Sequence, residues 1–142
     1  MRIVDVNVLV HAFRREAPLH IEYGRWLASA LDDAAGFGVP DLVLSGFLRV
    51  ATLPALSLGE IDAAVALRFA RELRGDPRCN AVNPGADHWR IFTRLCEAPG
   101  ITGNHTADAY LAAIAIEADC EWVSADRGFA RFPGLRWRHP LD

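Results

Sequence analysis

Residues 106–126 read Thr-Ala-Asp-Ala-Tyr-Leu-Ala-Ala-Ile-Ala-Ile-Glu-Ala-Asp-Cys-Glu-Trp-Val-Ser-Ala-Asp. From Ala109 to Ile116 the stretch is apolar almost all round a helical wheel, and a helix without a polar face is a buried one. Thr106 can cap it, so the spacing predicts a helix over 107–118. Glu121 to Ser124 then reads as a short strand. At the other end of the chain, Arg2 to Asp5 is a second short apolar strand, and a helix follows over Asn7 to Phe13. Between these two ends the same alternation repeats. Residues 18–34 predict a helix with Pro18 in its first turn. Phe37 to Val39 is extended, and Pro40 opens a helix over 40–51. Ser57-Leu58-Gly59-Glu60 matches a capping box, for a helix reaching Arg74 with Gly75 just past its end. Asn80 to Val82 is a strand, and residues 85–97 are helical. Arg127 to Phe132 is a short helical turn and Leu135 to Arg138 a last strand. Strands alternating with helices define the α/β class: a central, mainly parallel sheet between two helical layers. In such sheets ligands bind beyond the carboxyl ends of the strands.

The composition narrows the function. At 142 residues with 51% hydrophobic, residues 1–142 fit one domain with one sizeable core. No apolar stretch is long enough to span a membrane. A strand starts at once after Met1, with no signal peptide, so a cytoplasmic protein is expected. Cys79, Cys96 and Cys120 are widely spaced and form no C-x-x-C, which disfavours a zinc ribbon or dithiol site; packed, reduced thiols are expected. Net charge is −3, yet all fifteen basic residues are arginine. Any mechanism that needs a lysine is excluded, including that of a phospho-accepting receiver domain. Asp5-Val6-Asn7 lacks the second carboxylate of an Asp-x-Asp phosphatase. There is no Gly-rich phosphate loop and no G-x-S-x-G elbow.

Three carboxylates fall where the sheet rule points. Asp5 ends the first strand, Asp126 stands just past the strand that begins at Glu121, and Asp108 falls in the first turn of the apolar helix. If those two strands are neighbours, all three converge. Clustered like charges call for a cation. Mg²⁺ takes a few carboxylates plus waters and substrate phosphate, which suits phosphodiester hydrolysis. Each aspartate alone also reads as a turn residue or a partner of the helix dipole.

Ile3-Val4-Asp5-Val6-Asn7-Val8-Leu9-Val10, Asp108-Ala109-Tyr110-Leu111-Ala112-Ala113-Ile114-Ala115 and Val123-Ser124-Ala125-Asp126-Arg127-Gly128-Phe129, in that order, resemble the PIN domain, most closely the VapC-type toxins of bacterial toxin–antitoxin pairs. Leu48-Arg49-Val50-Ala51-Thr52 and Phe132-Pro133-Gly134-Leu135-Arg136-Trp137 extend the likeness over nearly the whole chain. The resemblance implies a PIN-like α/β/α fold and an endoribonuclease using Mg²⁺, with Mn²⁺ as a substitute. It implies structured RNA of the translation machinery (transfer RNA or a ribosomal RNA loop) as target. It also implies a homodimer and a cognate antitoxin that covers the site. By motif position Asp5, Asp108 and Asp126 would be the metal-binding catalytic residues. Asn7 and Ser124 would be supporting polar groups, and Asn104 a polar group at the mouth. One feature departs from the family: where most members carry a glutamate in the third helix, this chain has Gly46. A second metal ion is then in question, Asp41 is a substitute ligand to test, and a binding-only PIN domain is the alternative. Restoring the acid by Gly46→Glu is expected to tighten metal binding. Arg49, Arg127 and Arg131 are candidates for RNA phosphates, Trp89 and Trp137 for stacking on bases, and His105 is the histidine nearest the motifs.

Overall fold

The computed structural model describes residues 1–54 and 62–142. Five three-residue strands, β1 (Arg2–Val4), β2 (Phe37–Val39), β3 (Cys79–Ala81), β4 (Glu121–Val123) and β5 (Arg136–Arg138), form one sheet in the order β3-β2-β1-β4-β5. Every pairing is parallel. Parallel strands are covered on both faces, so the central ones carry no polar side: Ile3, Val4, Phe37, Val39, Trp122 and Val123 are all fully buried. Among the described residues six helices connect the strands: α1 (Val6–Phe13), α2 (His20–Leu31), α3 (Asp41–Ala51), α4 (Ala63–Gly75), α5 (His88–Cys96) and α6 (Asn104–Glu117).

The strand order sets the layers. From β1 to β2 to β3 the chain steps in one direction, and from β3 to β4 it returns past β1. Right-handed crossovers therefore place α1–α4 on one face and α5–α6 on the other. The direction reverses at the β1/β4 border, so that border is the topological switch point, where a crevice opens at the strand ends. Arg14 helps to hold the first layer together. Its buried guanidinium donates through Nη2 to the carbonyls of Ala51 (3.1 Å) and Leu53 (3.4 Å), at the negative end of α3.

Several boundaries differ from the sequence reading, for local reasons. Helix α2 begins at His20 rather than at Pro18, because Leu19 adopts a left-handed φ of 60°. Pro40 is extended and stands just outside α3 as its N-cap. The capping box at Ser57–Glu60 lies outside the described residues; Asp62 caps α4, accepting from the Ala64 N–H, and Gly75 is its last residue. Helix α5 starts at His88, not 85; the Gly85 and Asp87 N–H groups ahead of it donate to the Glu117 carboxylate (2.7 and 2.8 Å). Helix α6 starts at Asn104, with Gly103 (φ 57°) as its N-cap, and the Thr106 N–H is spent on the Gly103 carbonyl. Thr106 is thus not a cap, and Asp108 sits in the second turn, not the first. The three cysteines are free thiols, Cys120 buried and the others half-buried. Among the described residues no helix is long and apolar enough to cross a membrane.

Candidate active site

At the switch point the chain builds a hydrogen-bonded knot between the ends of β1 and β4. The Asp5 N–H donates to the Val123 carbonyl (2.9 Å), continuing the sheet by one rung. Asp5 is also the N-cap of α1, its Oδ1 accepting from the Val6 N–H at 2.7 Å. Its Oδ2 accepts from the Ser124 hydroxyl (2.6 Å) and from Asn7 Nδ2 (2.8 Å). Asn7 Nδ2 donates its second hydrogen to Ser124 Oγ (3.0 Å), and Asn7 Oδ1 accepts from the Ala125 N–H (3.1 Å). Ser124 Oγ accepts once more, from the Asp126 N–H at 3.0 Å. One hydroxyl, itself fully buried, therefore makes its full set of one donated and two accepted bonds. Ser124→Ala would remove one hydrogen bond from each of three groups: the buried Asp5 carboxylate, the half-buried Asn7 amide and the Asp126 N–H. It is expected to cost about 2–3 kcal/mol in urea unfolding, against near zero for alanine at an exposed serine such as Ser45.

Asp126 follows this knot and caps the 3₁₀ turn Arg127–Arg131, with Oδ1 accepting from the Gly128 N–H at 2.7 Å. Asp108 reaches the region from α6; its Oδ2 lies 3.5 Å from His105 Nδ1. The electrostatics join the three acids. Burial pushes the Asp5 pKa from its usual 3.8 up to about 6, against the opposing bonds from Ser124 and Val6, and the charges of Asp108 and Asp126 raise it further. Asp5 is only 6% exposed, so the carboxylate is held in a desolvated, negative field. Among the described residues no three acids, histidines or cysteines already close on a single point. The donors nonetheless fit Mg²⁺. They are hard oxygens, Asp5 Oδ1 keeps an unused lone pair, and an open set suits an ion that retains several waters.

The remaining candidates fall in different places. Asn104 is exposed at the start of α6, and Arg49 is exposed on α3. Arg127 lies 4.0 Å from Asp142. Arg131 donates through Nε to the Gly128 carbonyl at 2.7 Å. Trp89 is 68% exposed, whereas the Trp137 indole N–H donates to the Ser124 carbonyl (3.1 Å) and braces the knot from β5 rather than standing free for a base. Asp41 is not available as a substitute ligand: it pairs with Arg74 (2.8 Å), and its Oδ2 and backbone N–H engage the two ends of the Asn83 amide (both 2.9 Å). A Cβ on Gly46 would lie 2.8 Å from Val6 Cγ2, so Val6 occupies the space a side chain at 46 needs. Beside the knot runs a mainly apolar cleft of about 960 Å³, lined by Val6, Gly46, Arg49, Phe92, Tyr110 and Leu111 among others. None of the three aspartates lines it, although Val6 and Ala107, their chain neighbours, do. The sequence reading missed the Val6–Gly46 contact, the Trp137 brace and the part played by Gly128. Only the last had a local signal, the Asp-x-Gly spacing of an Asx turn.

A doubly wound sheet with acids at its switch point is the architecture of a nuclease-like α/β domain, and the comparisons agree. Residues 2–135 match the PIN domain, and the chain belongs to that family. Within it the chain stands with the VapC ribonucleases. It is 43% identical over 142 residues to VapC ribonuclease Mb2897 of Mycobacterium bovis, covering all of this chain and 97% of that one. It is 36% identical over 140 residues to Ribonuclease VapC31 of Mycobacterium tuberculosis, covering 99% of each. Among solved structures it superposes on VapBC2 from Rickettsia felis bound to promoter DNA, with a TM-score of 0.70 at 17% identity, over 97% of both chains. It also superposes on VapC20 of M. tuberculosis, described as a sarcin–ricin-loop-cleaving toxin, with a TM-score of 0.68 at 14% identity, over 95% of this chain and 98% of that one. These two likenesses show the fold.

Proposed function

We propose that this chain is a Mg²⁺-dependent endoribonuclease, the toxin of a toxin–antitoxin pair, and that Asp5, Asp108 and Asp126 hold the metal. The observation that carries the reading is the Asp5 carboxylate, pinned by three donors and pushed toward neutrality chiefly by its burial and further by the charges of Asp108 and Asp126. A bound dication relieves that field. When bound, Mg²⁺ or Mn²⁺ supplies Lewis-acid polarisation of the phosphate and a more acidic water. The chain's own residues do the rest. Ser124 and Asn7 fix the Asp5 carboxylate in one orientation. The Gly128 N–H does the same for Asp126. The exposed Arg49, Arg127 and Arg131 draw the RNA backbone to an otherwise acidic protein.

The relatives support the substrate class. They are ribonucleases, and one fold neighbour is described as cleaving the sarcin–ricin loop. We assign this chain to structured RNA of the translation machinery, in the cytoplasm. Fold neighbours solved as toxin–antitoxin assemblies support a cognate antitoxin as partner. A homodimer is the working form the family resemblance implies. A binding-only domain is the second reading. Gly46 favours it, since it offers no carboxylate.

Incubating total RNA with the purified, antitoxin-free protein tests the choice. Discrete fragments are expected with Mg²⁺, none with chelator, and none with Asp108→Asn. That variant keeps the fold because the side chain is half-exposed. Full activity of Asp108→Asn removes it from the mechanism, and RNA left intact by the folded wild type selects the binding module.

A further inference from the structure

The turn that follows Asp126 holds a guanidinium beside the acids. Phe129 and Phe132 are buried and fix the backbone of this turn, while Arg131 between them is exposed. Arg131 donates through Nε to the Gly128 carbonyl at 2.7 Å, which ties down the side chain and leaves both Nη groups without a hydrogen-bond partner among the described residues. A Cβ on Gly128 would lie 2.8 Å from Arg131 Nη2 and 2.8 Å from Asp126 Oδ1. The two charged groups are therefore no more than twice that distance apart, yet they form no ion pair among the described residues. A tethered guanidinium stands next to a carboxylate without neutralising it, and glycine is the residue that leaves the gap between them.

We infer that Arg131 is a catalytic residue that grips the scissile phosphate, and that Gly128 sets its spacing from Asp126; this rests on the nuclease reading above. In the hydrolysis the water oxygen bonds to phosphorus and one bridging P–O bond breaks. The leaving oxygen keeps the electron pair of that bond and gains a proton as the water loses one. Negative charge builds on the non-bridging oxygens as the bond to water forms. A planar fork already held in place meets that charge with two parallel N–H bonds and no reorganisation. The other exposed arginines near the motifs lack this placement: Arg127 leans toward Asp142, and Arg49 stands on α3 along the cleft.

The test separates cutting from holding. Single-turnover cleavage is measured with enzyme in saturating excess over RNA and with Mg²⁺, and RNA affinity is measured on an Asp108→Asn background. Arg131→Ala is expected to slow the cleavage step about 100-fold and to change RNA affinity by less than about threefold. Arg131→Lys recovers part of the rate, since a point charge lacks the fork. Gly128→Ala, whose Cβ displaces Arg131 or Asp126, is expected to show the same split. An Arg131→Ala variant that cuts at the wild-type rate overturns the assignment alone. So does a loss carried wholly by affinity, which makes Arg131 an ordinary backbone anchor. Gly128→Ala cutting at the wild-type rate overturns the role of the spacing. A wild type inert toward RNA fails the nuclease reading, and this assignment with it.

Discussion

Asp5→Asn is expected to reduce RNA cleavage at least about 10³-fold, because loss of metal-borne stabilisation is worth several kcal/mol of barrier. The fold should survive. The amide keeps part of the hydrogen bonding to Val6, Ser124 and Asn7 and no longer buries a charge. The same variant reports on the electrostatics without any RNA. In the metal-free protein, native Asp5 titrates near 6 and the unfolded residue near 3.8, so the native state holds its proton more tightly. Stability from this group is then full below pH 4, falls through the interval up to pH 6, and is gone above it. The difference is about 3 kcal/mol. Thermal unfolding of metal-free wild type should show this decline, and Asp5→Asn should flatten it. Adding Mg²⁺ at pH 7.5 should raise the melting temperature of the wild type and leave that of Asp5→Asn unchanged. A metal response that survives in Asp5→Asn would move the ion elsewhere.

Gly46→Glu, which the family pattern recommends, is expected to fail on its own. The added Cβ would sit 2.8 Å from Val6 Cγ2. Val6 is β-branched and lies in the first turn of α1, so it has little rotamer freedom with which to yield. Overpacking of this kind costs about 1–3 kcal/mol, partly offset by about 1 kcal/mol from replacing a mid-helix glycine. The double change Val6→Ala/Gly46→Glu removes the clash. It should restore the urea midpoint toward wild type and raise Mg²⁺ affinity about tenfold by adding ligand charge. Isothermal titration on the two variants settles the matter. Unchanged affinity in a well-folded double variant would mean that position 46 does not face the ion.

The layout of the sheet is legible in the chain because the central strands are short and mainly apolar; Phe37–Val39, read as an extended link, is a strand with those same limits. The convergence of Asp5 and Asp126 is legible for the same reason: it needs only β1 and β4 as neighbours, and they are. Errors arise where the deciding partner lies far along the chain. Residues 85–87 read as helix, but the N–H groups of Gly85 and Asp87 are held by Glu117, some thirty residues away. Thr106 reads as a cap, but the positive φ at Gly103 lets the helix begin three residues earlier. Asp41 reads as a spare ligand until Arg74 and Asn83 are seen to hold it. The contact of Val6 with position 46 joins two helices and has no trace in either segment alone.

The Ser124–Asp5 bond joins residues 119 positions apart, and both Asp126 and the bracing Trp137 come later still. On the ribosome the N-terminal end emerges first, and β1 has to wait for β4 before its second edge is paired. The centre thus cannot assemble before the chain through Trp137 has emerged. A ribonuclease built this way carries no complete acid centre during the synthesis of everything that precedes β4 and β5.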